Sequence, residues 1–222
     1  MATQASLTVA SLKDVICLNN EGVGCLVLCE PDAAHHRFKT ALSMLNSHMR
    51  AHDDFAVTAS ATAGHSQTAS FAIPALKDDC FYIHNHAQTL NTGMMGSPQD
   101  FHEASSILVF NLALSSHLSG MVSNSEAKLR KACRLYGMCY DLVIADDIQD
   151  LTSTLAVASM NNLAQIKHRF LADHSKAVEI LTSLQLGAAL AQTTYLNNMD
   201  IDEILLNICT ITVSKSMGAP AA

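Results

Sequence analysis

The chain has 222 residues, 49% hydrophobic and 15% charged, which excludes a disordered or fibrous protein. Its formal charge of -7 gives a net field that repels nucleic acid. Trp is absent and aromatics are 5%, so the core is expected to be aliphatic, which suits helices packing on helices.

The first helix is predicted over Leu12 to Cys29, where Leu12, Val15, Ile16, Leu18, Val23, Leu26 and Val27 recur mostly at three and four. Glu30 and Pro31 break it, and Pro31 suits the first turn of a second helix, because its missing N–H costs nothing there. That helix carries Ala34, Phe38, Ala41, Leu42, Leu45 and Met49 on one face. Residues 51–100 then read as an insertion within a single helical-repeat domain covering 1–222. Its Ala56 to Ser70 stretch is Ser, Thr, Ala, Gly and His with almost no charge, as in a loop. Phe71 to Pro74 and Cys80 to Ile83 suit short extended pieces, so the insertion holds either a functional segment or one that packs along the helices.

Helical periodicity returns over Phe101 to Leu118, with Ile107, Phe110, Leu114 and Leu118 on one face. Ser125 is the expected N-cap of the next helix, whose stripe is Leu129, Ala132, Tyr136, Cys139 and Val143. Asp146, Asp147 and Asp150 form an acidic break. A third helix pair is predicted over Thr152 to Ala172 and His174 to Asn197, and Asp200 would cap a last segment whose stripe is Ile201, Ile204, Leu205, Ile208, Ile211 and Thr212.

The chain repeats itself. Leu18-Asn-Asn-Glu-Gly22, Phe110-Asn-Leu-Ala113 and Met160-Asn-Asn-Leu-Ala164 each set an Asn two positions before a small residue. Phe38-Lys-Thr-Ala-Leu42, Leu129-Arg-Lys-Ala-Cys133 and His174-Ser-Lys-Ala-Val178 are the corresponding second-helix elements. The spacing of Gly22, Ala34, Phe38 and Ala41 resembles the tetratricopeptide repeat, in which small residues let two helices approach and an aromatic fills the angle between them. Asn161-Asn-Leu-Ala164, Ala132-Cys-Arg-Leu-Tyr136 and Asp200-Ile-Asp-Glu-Ile-Leu-Leu-Asn207 together resemble a group of uncharacterised tetratricopeptide-like proteins common in diatoms. The resemblance implies an all-α fold: a degenerate tetratricopeptide-like stack of antiparallel helix pairs with a long internal loop. It also implies a general binding role and no known chemistry.

One helix pair cannot bury its apolar face alone, whereas three stacked pairs make a continuous core and a concave groove. The candidate partner-binding residues are Asn20, Asn111 and Asn162, as donors and acceptors to a bound backbone. The alternative is that they bond neighbouring helix ends and fix repeat packing. No catalytic, cofactor-binding or metal-ligating residue is assigned, and no cofactor is expected. His48 and His52 share a face and His84 and His86 flank Asn85, but no zinc-binding spacing accompanies them. No Gly-x-Ser-x-Gly, phosphate loop or dinucleotide fingerprint is present.

The expected function is therefore a non-enzymatic protein–protein interaction scaffold that binds a peptide or helix in a helical-repeat groove. Self-association is left open. The alternatives are a metal-dependent hydrolase built on His84, His86 and an acidic residue in the loop, or an obligate subunit of a larger assembly. No nucleic-acid partner and no membrane span are expected. The odd count of seven cysteines and the absence of a secretory pattern point to the cytoplasm or nucleus.

Overall fold

Three turns through a left-handed residue organise the chain. In the computed structural model, which describes residues 2–52, 68–78, 81–91, 98–145, 151–191, 203–204, 206–207 and 209, helices close on Cys29 (φ 62°), Asn124 (φ 47°) and Ala172 (φ 50°). These left-handed residues turn the chain so that Glu30 N–H reaches Cys25 C=O (2.8 Å), Ser125 N–H reaches Gly120 C=O (2.9 Å) and Asp173 N–H reaches Lys167 C=O (2.9 Å). The residue after each turn opens the next helix: the carbonyls of Glu30, Ser125 and Asp173 accept from Ala34, Leu129 and Ala177.

The described helices are α1 (Ala2–Val27), α2 (Pro31–His52), α3 (Pro98–Val122), α4 (Glu126–Ala145), α5 (Leu151–Arg169) and α6 (His174–Ala191). Each packs on the next in chain order, so the fold is a stack of antiparallel helix pairs. Two short strands lie between α2 and α3: β1 (Ser70–Ala72) and β2 (His86–Gln88). They pair antiparallel, with Ser70 opposite Gln88, Phe71 opposite Ala87 and Ala72 opposite His86.

The sequence stripes are largely the buried faces, though Val27 on the α1 stripe is exposed and Leu18, Leu42 and Met49 are half-buried. Ala34, Phe38, Ala41 and Leu45 on α2 are fully buried, and the α4 stripe from Leu129 to Val143 is buried throughout. Gly22 lets α1 and α2 meet closely, since a Cβ there would stand 2.5 Å from Phe38 Cε1. Helix α3 differs from the one-faced helix its periodicity predicts. Every residue from 104 to 120 is buried, because α1, α2, α4, α5 and β2 surround it. Its Asp100–Val122 stretch is long and apolar enough to cross a membrane by length and composition, and 89% of its apolar window is buried inside the stack.

Two further expectations change. Counted from the N-caps, Ala34, Leu129 and Ala177 are equivalent, so Ala132 does not align with Ala41. The internal insertion is not simply a loop: its described part carries a strand at Ser70–Ala72, overlapping the predicted piece, and another at His86–Gln88, three residues beyond the predicted one. Cys80 and the acidic Asp146, Asp147 and Asp150 lie outside the described residues.

Candidate functional site

In an extended chain the N–H and C=O of one residue point to one edge, and those of the next point to the other. Residues 81–91 use both edges. On one edge, Asn85 C=O accepts from Ile73 N–H (2.8 Å) and Thr89 N–H donates to Ala69 C=O (2.9 Å), so odd-numbered residues pair with the β1 strand. On the other edge, even-numbered residues meet asparagine side chains.

Four carboxamides each take one peptide residue by both of its polar groups. Asn20 on α1 accepts from Leu90 N–H (2.9 Å) and donates to Leu90 C=O (3.0 Å). Asn111 on α3 does the same to Gln88 (2.9 and 2.7 Å). Asn162 on α5 holds His84 (2.8 and 2.8 Å), and Asn207 holds Tyr82 (2.7 and 2.9 Å). A carboxamide carries the donor and acceptor of a peptide group, so the four side chains stand in for a neighbouring strand.

The spacing follows from two lengths. Inner helices of a stack lie about 8–10 Å apart, while two strand residues advance only about 6.7 Å. Clamping every second residue over the whole run would fall short of the helices, so one rung must be passed over. Three helix steps cover about 27 Å, which matches the eight residues from Tyr82 to Leu90 at about 3.3 Å each. The rung passed over is His86, between Asn111 and Asn162.

The sequence marks that place. Asn20 and Asn162 each follow another Asn, whereas Asn111 follows Phe110. The preceding Asn links one rung to the next: Asn19 Oδ1 accepts from Asn111 (2.9 Å) and its amide donates to Gln88 C=O (3.0 Å). Asn161 repeats this at the far end, accepting from Asn207 (2.8 Å) and donating to Tyr82 C=O (3.0 Å). Phe110 cannot make such a link. Its ring instead lies edge-on to His84, with centroids 5.9 Å apart.

The candidate residues Asn20, Asn111 and Asn162 are thus brought into one row, and that row binds a backbone belonging to the same chain. Asn19, Asn161 and Asn207 complete it. Asn19 and Asn161 stood in the repeated Asn-Asn pairs, and Asn207 in the Leu-Leu-Asn element, without being singled out. The alternative reading, that these asparagines fix repeat packing, holds in part: Asn111 also bonds Asn19 across α3 and α1, and Asn162 bonds Tyr136 across α5 and α4, while their paired contacts run to the extended segment.

Behind the ladder the polar groups continue inward. Asn162 also donates to the Tyr136 oxygen (3.2 Å), and Tyr136 lies 3.3 Å from His117 Nδ1. Burial lowers the His117 pKa to about 4, with the Gln165 amide pulling the other way, so the ring is neutral and its Nδ1 can accept from the phenol. Burial raises Cys133 to about 11 and Cys139 to about 12, so both remain thiols instead of nucleophilic thiolates.

The hydrolase alternative required His84, His86 and an acidic residue in one cleft. The two rings are neighbours, with centroids 5.3 Å apart, but no group of three His, Cys, Asp or Glu able to hold a metal ion occurs among the described residues. His48 is buried with its ring 5.3 Å from Phe101.

Comparison with protein-family models gives no match, and comparisons with curated proteins and with solved structures give none either.

Proposed function

We propose that this chain is a protein–protein interaction scaffold of the tetratricopeptide-like kind, which holds a peptide in extended form along the inner row of its helix stack. One observation carries the reading: Asn20, Asn111, Asn162 and Asn207 each take one extended residue by both its N–H and its C=O. Such contacts recognise an extended backbone and ask nothing of its side chains. They favour an extended peptide over a helix, whose own N–H and C=O groups are used internally. The close approach of Gly22 to Phe38 supports the tetratricopeptide-like packing. The reading assigns no reaction, and it places the chain in the cytoplasm or nucleus, where free cysteines stay reduced.

A display library of ten-residue peptides tests it. Enriched sequences should lack Pro at positions spaced two, four and two apart, and enrichment should fall at least about tenfold on an Asn111→Ala/Asn162→Ala chain that keeps its helices. Peptides that bind the altered chain equally well would place recognition elsewhere and sink the reading.

A further inference from the structure

We propose that residues 82–90 are a built-in competitor for the partner, so that the groove accepts an extended segment of another protein only as this resident segment gives way. The inference rests on the scaffold reading above. Because the ladder contacts backbone atoms, it does not distinguish its own segment from any extended segment with free N–H groups at the four clamped rungs. The resident also shows what else an incoming segment must offer. Phe81, Ile83 and Leu90 are buried apolar anchors, and Ala87 is fully buried. The partner is therefore an extended segment with apolar residues at the places of Phe81, Ile83 and Leu90 and a small residue at that of Ala87, between the two middle rungs.

Topology permits the exchange. The ribbon lies between α2 and α3 in the chain, so its departure interrupts none of the described helices. The helices pack on one another in chain order, α1 on α2 through to α5 on α6, so the stack remains connected without it. The tether also gives the resident its advantage. A segment held by a short linker meets its site at an effective concentration in the millimolar range. An untethered segment of equal intrinsic affinity then competes only as it approaches about millimolar concentration, unless the resident is weakened.

The probe is a fluorescent synthetic peptide of residues 81–91, titrated into the full chain and into a His84→Pro/Gln88→Pro chain. The two prolines remove the resident N–H groups that Asn162 and Asn111 accept from. The altered chain should keep its helical circular dichroism and bind the probe at least about a hundredfold more tightly than the unaltered chain. A folded variant with no gain would overturn the competitor. Equally tight binding by the unaltered chain would also overturn it, while leaving the scaffold reading in place. A third measurement does not depend on the variant's folding: amide hydrogen exchange of the unaltered chain. The Tyr82, His84, Gln88 and Leu90 amides should exchange at least about tenfold faster than the central α3 amides, by local release. Exchange only in step with α3 would make the segment a permanent strand and overturn the proposal.

Discussion

Asn162→Ala is the perturbation that weighs the ladder most directly. Asn162 is fully buried, and its carboxamide holds His84 N–H and His84 C=O at 2.8 Å each, while also donating to the Tyr136 oxygen at 3.2 Å. Alanine leaves two backbone groups of a buried residue without their partners. Each orphaned group costs about 1–3 kcal/mol, so the loss is expected to be about 2–6 kcal/mol. That is a large share of a domain stability of about 5–15 kcal/mol. Asn20→Ala is the control. Asn20 makes the same two bonds to Leu90 but is only half-buried, so water can replace them, and its loss should be near 1 kcal/mol. Urea denaturation followed by far-ultraviolet circular dichroism measures both. A loss below about 1 kcal/mol for Asn162→Ala, or one no larger than that of Asn20→Ala, would refute the argument that the ladder fixes a buried backbone.

Other consequences separate register, packing and charge. Proline at His84 should cost at least about 2 kcal/mol more than proline at His86, because the ladder passes over that rung; equal losses by thermal melting would contradict the spacing argument. Gly22→Ala should destabilise by about 1–3 kcal/mol, since the new Cβ meets Phe38, whereas Gly24→Ala has open space and should gain up to about 1 kcal/mol. The same melts would expose the error if both changes had one sign. For pH, the His117 pKa is lowered in the folded state, so its contribution is intact above the unfolded value near 6.5 and is lost as pH falls toward about 4. At about 1.36 kcal/mol per unit this amounts to up to about 3 kcal/mol. Urea midpoints measured between pH 7 and pH 4.5 should therefore fall more steeply for the unaltered chain than for His117→Gln, and parallel curves would remove His117 from the account.

Local sequence by itself determined most of the helices and the buried faces of α2 and α4. The α4 stripe, the Pro31 entry to α2 and the Ser125 cap follow from period and end chemistry, which act within a few residues. The repeated Asn before a small residue was legible too, because a recurring polar residue at one helical position stands out against an apolar face. What Asn20, Asn111 and Asn162 bind was decided by the tertiary structure. Their targets are peptide groups, which every residue carries, so Tyr82, His84, Gln88 and Leu90 bear no side-chain mark of being clamped. The passed-over rung at His86 likewise arises from the mismatch between helix spacing and strand rise, a relation that exists only once the helices are stacked. For the same reason, the burial of every α3 residue from 104 to 120 could not be read from its periodicity: a helix becomes central only when its neighbouring helices and β2 close around it.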